Sequence, residues 1–312
     1  MKKKRVLLLC GGGGPEHDIS IISAKYIEAI LSEIPELDLS IKELELAPEK
    51  EDLFQALQGP DFIIPCIHGP PGETGDVQAF LDLLKIPYLG AGPEASRICF
   101  NKITTKLWSE SLNIPVTPYQ GLETKNMDVA YDIFDKWGKV FIKPASQGSS
   151  IGCALVENRD QLESAIDEAF KYSPQILLEK VIEGRELEVA VYEMGGKIVA
   201  TDPGEIILKR AKDAFYTYKE KYDDTSKVTT HTKAQALDNK TIEDLKNLSI
   251  RIFKGLGIRH LSRVDFFLTS DGQIYLNEIN TFPGMTPISM FPKMLQARGD
   301  TFKDFLKEKI NS

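Results

Sequence analysis

The chain has 312 residues, more than a single hydrophobic core usually holds, so two or three compact units are expected. Apolar residues make up 42% of the chain and charged residues 27%, the usual balance of a soluble globular protein. The 38 basic and 46 acidic residues give a formal charge of −8. This charge argues against a general nucleic-acid binder, although it leaves room for a local basic groove that holds phosphates.

Secretion, membrane insertion, zinc sites and disulfide frameworks are all disfavoured. No apolar run approaches the roughly 20 residues of a membrane span. The basic start is followed only by Val6–Cys10 and four glycines, which predicts a strand and not a signal sequence. The four cysteines have no paired spacing, which favours buried thiols in a reducing compartment, and the four histidines lack zinc spacing. A cytoplasmic protein is therefore expected.

The first 92 residues show the pattern of a small α/β unit. The apolar run 6–10 predicts a strand buried on both faces, and the glycines at 11–14 predict a loop. Pro15 suits the first turn of a helix whose apolar residues recur from 19 to 34. Further elements are expected as a strand at 62–67, a helix at 77–84 and a short strand at 87–90. Residues 1–92 are therefore predicted to contain a parallel sheet.

Two further units are expected after Pro93. One amphipathic helix is predicted from Pro93 through Trp108, followed by a hairpin of strands 140–143 and 151–156 with a flexible tip. A strand at 176–182 ends this second unit, which spans 93–184. The third unit, 185–312, carries strands at 186–193 and 197–201 and helices near 242–256 and 305–310. A polar, aperiodic segment at about 208–233 predicts a mobile lid, since long polar stretches in compact enzymes are usually functional or disordered.

A hairpin between 262 and 280 is the sharpest chemical signal. Asp271-Gly272 lies between two strand patterns and predicts a two-residue turn. That register places Asp265 opposite Glu278 and Arg263 opposite Asn280 on one face. Two opposed carboxylates repel each other, so either one pKa rises or a cation lies between them. Two carboxylates and an amide suit Mg²⁺, whereas a solvent-facing charged patch is the simpler alternative.

The same register predicts which residues pair on the opposite, mostly apolar face of the hairpin. The expected pairs are Val264 with Ile279, Phe266 with Asn277, and Leu268 with Tyr275.

Two glycine-containing loops could hold ligands. Gly11–Gly14 resemble a dinucleotide-binding turn only weakly, because Glu16 stands where the third glycine is needed and would repel a pyrophosphate. Glu16 either holds a cationic group, such as a substrate ammonium, or caps the helix. The segment KPASQGSSIG at 143–152 places a lysine, small residues and hydroxyl groups at the end of a strand. This composition favours a phosphate-binding loop over a plain flexible turn, although it is not a Walker A motif.

Together these segments resemble the D-alanine–D-alanine ligases of the ATP-grasp superfamily over nearly the whole chain. The motifs are GGGGPEHDIS at 11–20, HGPPGETGD at 68–76, PYLGAG at 87–92, NKITTK at 101–106, KPASQGSSIG at 143–152, LEKVIEGRELEVAV at 178–191, FYTYKEKY at 215–222, RVDFF at 263–267 and NEINTFPGMTPIS at 277–289. The resemblance implies a three-domain ATP-grasp fold of mixed α/β and α+β class, with an N-terminal parallel-sheet domain. It also implies a homodimer that acts on D-alanine in peptidoglycan synthesis.

The resemblance further implies an ATP site between the central and C-terminal domains. Phosphate contacts fall to Lys102, Lys143 and Lys221, the adenine site to Glu179, Lys180 and Ile182, the ribose to Glu186, and further ATP contacts to Ser150 and Phe215. The ions, Mg²⁺ or Mn²⁺, would be held by Asp265, Glu278 and Asn280, in agreement with the hairpin argument.

Substrate roles are implied in the same way. Glu16 would bind the ammonium of the first D-alanine, and Ser149 and Tyr222 would join it in closing the lid. Arg263 and the Gly284 N–H would stabilise an oxyanion, Ser289 and Met290 would hold the second carboxylate, and His68 and Glu73 would lie near the substrates.

The chain departs from the family pattern at two places that bear on the lid and the substrate fit, and three alternative functions are weighed separately. Thr74 stands where the family pattern is usually acidic, and 229–234 lacks an expected proline. The nearest alternative is a D-alanine–D-lactate or D-alanine–D-serine ligase, although Tyr222 argues against D-lactate. An inactive nucleotide-binding paralogue would be expected to lack one of the hairpin's polar residues, and all of them are present. A Rossmann oxidoreductase is disfavoured by the misplaced glycines.

Overall fold

The computed structural model describes residues 3–44, 57, 59–208 and 228–312 and contains three β-sheets. The first sheet has the order β2-β1-β3, with β1 at Lys4–Gly11, β2 at Leu37–Leu44 and β3 at Phe62–Pro65. Both pairings are parallel, which confirms the predicted parallel sheet. Tyr88 forms only an isolated bridge with Ile63, so the short strand expected at 87–90 is reduced to one pair.

Strand β1 is buried on both faces, as its unbroken apolar sequence predicts. Val6 and Leu8 pack with Ile27 of helix α1, His17–Leu31, whereas Leu7 and Leu9 face a second cluster. This second cluster includes residues of helix α2, Asp76–Leu83. The alternation positions the loop after β1 at the carboxyl edge of the sheet, where Glu16 begins α1.

The helix predicted from Pro93 is two helices. α3 covers Pro93–Phe100 and α4 covers Lys102–Ser111. Asn101 separates them with an extended backbone, and its side chain accepts the N–H groups of Ile103 and Thr104 as an N-cap. The prediction of one helix was therefore wrong, because Asn101 interrupts the first helix with an extended backbone and caps a second one. The break places Lys102 at a helix start.

The second sheet is antiparallel, in the order β4-β7-β5-β6. Its strands are β4 at Tyr119–Leu122, β5 at Val140–Pro144, β6 at Ala154–Val156 and β7 at Ile176–Lys180. Helices α5, Met127–Trp137, and α6, Leu162–Phe170, bury one face of it. The predicted hairpin of β5 and β6 is confirmed, and the loop between them carries residues 145–153.

The third sheet has the order β11-β10-β8-β12-β13, and β9 also pairs with β8. Its strands are β8 at Gly184–Met194, β9 at Lys197–Ala200, β10 at Gly204–Leu208, β11 at Val228–His231, β12 at Leu261–Thr269 and β13 at Ile274–Asn280. Helix α7, Asn239–Gly255, packs on one face. On the other face lie α8, Met290–Arg298, and α9, Phe302–Asn311, whose core is continuous with that of β1 and α1.

The central hairpin keeps its predicted register only between Arg263 and Asp265, at the end far from the turn. Asp265 pairs with Glu278, Arg263 with Asn280 and Val264 with Ile279. A bulge follows Asp265, so the expected pairs Phe266 with Asn277 and Leu268 with Tyr275 are wrong. Phe266 instead pairs with Leu276, because Asn277 is an extra residue in β13. The connection is also longer than predicted, since β12 ends at Thr269 and β13 starts at Ile274.

The first two sheets use strands from within 1–92 and 93–184, and the third uses strands from 185–312 except for Gly184, the first residue of β8. The domain boundaries themselves stay a prediction. Most of the predicted lid, 209–227, lies outside the described residues. Across the part of the chain that the structure describes, no helix is long and apolar enough to cross a bilayer. The expectation of buried, unpaired thiols is met at Cys10, Cys66 and Cys99, and Cys153 is partly buried and also free.

Candidate active site

The first part of the site joins the start of α1 to the loop between β5 and β6. The Ser149 hydroxyl donates a hydrogen bond to the Glu16 carboxylate. A Cβ placed on Gly148 would lie 2.9 Å from Glu16 Oε2, and one placed on Gly69 would lie 3.1 Å from it. Glu16 stands at the N-cap of α1 but makes no side-chain cap hydrogen bond. Of the two interpretations of Glu16, the helix cap is therefore the weaker.

The loop after β5 has an unusual backbone. Ser149 and Ser150 both have positive φ, at 51° and 59°, and Gly152 follows at 69°. Consecutive non-glycine residues in this region are uncommon and mark sites where the surroundings impose the conformation. Lys102 Nζ donates to the Gln147 carbonyl at 2.6 Å, so the first residue of α4 holds the loop. Lys102 is thereby tied to the loop that carries Ser149 and Ser150.

A buried ion-pair network lies beneath this loop. Glu179 of β7 is 2% exposed, and its two carboxylate oxygens lie 2.7 Å from Lys106 Nζ and 2.6 Å from Lys143 Nζ. Lys143 Nζ also donates to Asn277 Oδ1 at 3.1 Å, which the bulge in β13 makes possible. Burial opposes the charge on Glu179, but the two lysines outweigh it and lower the pKa of this carboxylate.

Sequence reasoning missed Lys106. Burial lowers the pKa of this lysine, although Glu179 acts in the opposite direction. The available signal was its spacing from Lys102, because residues four apart lie on the same side of a helix. A second lysine on the same side of the helix as Lys102 could therefore have been predicted to belong to the same charge network.

A second network lies on β8, β12 and β13. Arg263 donates to both oxygens of Asp265, with Nε–Oδ1 at 2.8 Å and an Nη–Oδ2 distance of 2.7 Å, and its Nε is 3.2 Å from Glu188. Asn280 Nδ2 donates to Asp265 at 3.0 Å. Burial disfavours the charge on Arg263, but the adjacent carboxylates outweigh it and raise its pKa. Glu188 was missed, although its alternation with Glu186 along a strand could have indicated a polar face.

The donor set at this hairpin fits a hard divalent cation. Asp265 and Glu278 are cross-strand partners, and Asn280 lies in hydrogen-bond contact with Asp265. Oxygen donors from two carboxylates and an amide, completed by water and phosphate, are what Mg²⁺ prefers. Within the described residues, no cluster of three or more His, Cys, Asp or Glu side chains has metal-binding geometry. The mixed carboxylate and amide set therefore stays the candidate for the ion site.

His68 follows β3 and lies between Ser23 of α1 and Phe282, which comes two residues after β13. It is 5% exposed, and its Nε2 is 2.9 Å from the Ser23 hydroxyl. Its Nδ1 is 3.6 Å from Glu73 Oε1, and its ring lies 6.1 Å from that of Phe282. The structure thus brings His68 and Glu73 together. Glu73 also lines a small pocket with Lys102, Glu278 and Asn280.

Gly284 and Ser289 meet in the loop before α8. A Cβ on Gly284 would lie 3.0 Å from Ser289 Oγ. The same hydroxyl accepts the Thr286 N–H at 2.9 Å. Met290, the first residue of α8, is buried. The loop therefore presents Gly284 and Ser289 on one side and anchors itself through Met290.

The structure places only some of the other residues predicted to contact ATP beside one cleft. Lys180 and Ile182 line a cleft of about 340 Å³ together with Thr269 and Tyr275 of the hairpin. Glu179 points away from this cleft into the buried network, as alternation along β7 requires. Glu186 lies on β8 between Ile206 and Phe267. Phe215, Lys221 and Tyr222 lie outside the described residues.

Two antiparallel sheets that carry a serine- and glycine-containing loop beside Lys102 and Lys143 and an acidic hairpin, preceded by a parallel-sheet unit, define the ATP-grasp class of ligases. The family model described as "D-ala D-ala ligase C-terminus" matches residues 107–311. The chain is 48% identical to the D-alanine–D-alanine ligase of Shewanella amazonensis, covering 99% of this chain and 98% of that protein. The chain therefore belongs to the D-alanine–D-alanine ligase family.

Solved structures agree with this assignment. D-alanyl-alanine synthetase A from Vibrio cholerae superposes with a TM-score of 0.91 at 46% identity, covering 100% of this chain and 98% of that one. The D-Ala:D-Ser ligase of Enterococcus faecalis superposes with a TM-score of 0.83 over 99% of each chain. At 23% identity, this second match shows a shared fold alone.

Proposed function

We propose that this chain joins two D-alanine molecules to D-alanyl-D-alanine, using ATP and passing through D-alanyl phosphate, in the supply of peptidoglycan precursors. Membership of the family implies ATP use. The observation that carries the proposal is the contact between Glu16 and Ser149, which joins a carboxylate for an ammonium to the phosphate-binding loop. An amino acid and a nucleotide bound in this way would meet above the acidic hairpin.

In the first step the carboxylate of D-alanine takes the γ-phosphoryl group of ATP and ADP leaves. Glu16 would hold the ammonium of this D-alanine, with His68 and Glu73 beside it. Lys102 and Lys143 would neutralise the phosphates, since transfer depends chiefly on positioning and charge. Bound Mg²⁺ or Mn²⁺ would neutralise the transferring group as a Lewis acid.

Three side chains would hold that ion: Asp265, Glu278 and Asn280. Arg263 pairs with Asp265, so it would orient this carboxylate. Ser150 would add a hydroxyl donor to the phosphates.

In the second step the amine of another D-alanine attacks the acyl phosphate, a C–N bond forms, and inorganic phosphate leaves. Arg263 and the Gly284 N–H would stabilise the oxyanion of the tetrahedral intermediate. Ser289 and Met290 would hold the carboxylate of the attacking D-alanine. The contact between Gly284 and Ser289 supports this pairing of roles, because it keeps both groups on one short loop.

Residues from both antiparallel sheets and from the lid would complete the nucleotide-binding site. Lys180 and Ile182 would border the adenine, and Glu186 would bind the ribose. The adenine contact implied for Glu179 is not supported, because both of its carboxylate oxygens pair with lysines in the buried network. Three residues of the predicted lid would complete the site. Lys221 would reach the γ-phosphate, Phe215 would contact ATP, and Tyr222 would join the Glu16–Ser149 pair. A closed lid would exclude water from the acyl phosphate, which otherwise hydrolyses.

We propose in addition a cytoplasmic homodimer. Sedimentation at micromolar concentration checks the assembly, and a monomer throughout would refute that part.

The function is tested by measuring ADP release with Mg²⁺-ATP and D-alanine, and by identifying the products by mass. ADP formed together with D-alanyl-D-alanine is the expected result. The assay is repeated with D-alanine plus D-lactate or D-serine. A mixed product without any D-alanyl-D-alanine would move the second substrate away from D-alanine. The absence of ADP under all conditions would favour an inactive paralogue.

A further inference from the structure

Lys106 is a buried cation that no role in the proposed reaction uses. It is 1% exposed, and its Nζ lies 2.7 Å from Glu179 Oε1 and 3.3 Å from the Thr117 carbonyl oxygen. The ammonium also lies 5.4 Å from the centre of the Tyr119 ring. These contacts surround the group with protein, so it has no direct path to a ligand. Its influence must act through Glu179.

Glu179 is shared between two lysines of different accessibility. Its Oε1 belongs to Lys106 and its Oε2, at 2.6 Å, to Lys143, whose side chain is 11% exposed. Lys143 lies at the end of β5, where the loop 145–153 begins, and its Nζ also contacts Asn277. Lys106, Lys143 and Glu179 by themselves carry a formal surplus of one positive charge, and the more distant Glu110 and Glu278 also attract the two lysines. That surplus is available to an anion at the loop.

We propose that Lys106 is a positioning residue that neutralises Glu179 and so frees Lys143 to bind the phosphates of the nucleotide. The inference rests on the nucleotide site proposed above. With Lys106 in place, Glu179 keeps a counter-ion when Lys143 turns toward phosphate. Without Lys106, Glu179 has Lys143 as its remaining lysine, and a phosphate must compete with a buried carboxylate for that one ammonium.

The test separates binding of the phosphates from binding of the adenosine. Dissociation constants for ATP and for adenosine are measured by displacement of a fluorescent ADP, without D-alanine. The ratio of the adenosine dissociation constant to the ATP dissociation constant reports the contribution of the phosphates alone, and it falls when ATP binding weakens and adenosine binding does not. We expect Lys106→Met to weaken ATP binding by about tenfold, while adenosine binding changes less than about twofold. Equal weakening of both ligands would indicate simple damage to the site and would overturn the proposal.

Two further variants keep the test decisive if Lys106→Met folds poorly. The double variant Lys106→Met/Glu179→Gln removes the cation and the carboxylate together, so no Glu179 charge competes with the phosphates for Lys143. We expect it to restore the ratio toward the wild-type value, even if adenosine itself binds more weakly. A ratio that stays as low as in Lys106→Met would overturn the proposal.

Lys309→Met is the matched control, because Lys309 is also buried, at 5% exposure, but lies on α9 and pairs with Glu308. We expect its ratio to equal that of the wild type. An equal fall in this control would show that the loss of any buried lysine has the same effect, and the proposal would fail. If the wild-type protein binds no ATP at all, the proposed function fails first, which is a separate outcome.

Discussion

Replacing Gly148 by alanine tests whether the position of Glu16 matters for the reaction. A Cβ at this residue would lie 2.9 Å from Glu16 Oε2, whereas ordinary contacts begin at 3.4 Å. The carboxylate must therefore move by about 0.5 Å. Gly148 lies outside the left-handed region, so alanine adds no backbone strain. The obstacle is the end of a flexible side chain, and the fold should adapt cheaply.

The expected consequence falls on D-alanine and not on stability. Moving Glu16 weakens its hydrogen bond with Ser149 and misplaces the group that would hold the substrate ammonium. A charge-assisted hydrogen bond contributes roughly 1.5–3 kcal/mol, so kcat/KM for D-alanine should fall between about 10-fold and 100-fold. The KM for ATP should stay within about twofold, because the phosphate contacts do not depend on Glu16.

The assay is ADP release at varied D-alanine and varied ATP, together with thermal unfolding of the variant. Gly92→Ala is the matched control, since a Cβ there meets nothing within 4 Å. The reasoning is refuted if Gly148→Ala retains the wild-type kcat/KM for D-alanine. It is also refuted if Gly92→Ala loses as much.

Three further predictions concern charges. Arg263→Met should lower the free energy of unfolding by about 3–5 kcal/mol, because Asp265 and Glu188 lose a buried counter-ion. Urea denaturation measures this loss of stability, and an unchanged midpoint would contradict the prediction. Asp265→Asn should weaken Mn²⁺ binding in the presence of ADP by at least about tenfold, measured by titration followed by electron paramagnetic resonance. An unchanged affinity would show that the hairpin does not bind the ion. Burial lowers the pKa of His260 from 6.5 to about 4, so the unfolded chain takes up this proton first as the pH falls. The stability that this neutral imidazole contributes is complete above pH 6.5 and is lost progressively toward pH 4. His260→Gln should therefore flatten the pH dependence of the unfolding midpoint in that range. An unaltered slope would argue against a neutral buried imidazole.

Local sequence patterns were sufficient for much of the acidic hairpin. Alternation along two strands places Arg263 and Asp265 on one face, and the turn residues bring Glu278 and Asn280 opposite them. The bulge after Asp265 was not predictable, because it depends on how β13 packs against neighbouring elements. Its consequence is specific, since it directs Asn277 toward Lys143.

The sequence by itself determined the parallel N-terminal sheet, the phosphate-loop hairpin and the family resemblance, because each depends on residues close together in the chain or on motif order. Only the tertiary structure decided which distant charges meet. Glu16 and Ser149 are 133 positions apart, and Lys106 reaches Glu179 from a different element. Such contacts arise from the packing of helices and loops against sheets, where Coulomb attraction and burial act across space without regard to sequence separation.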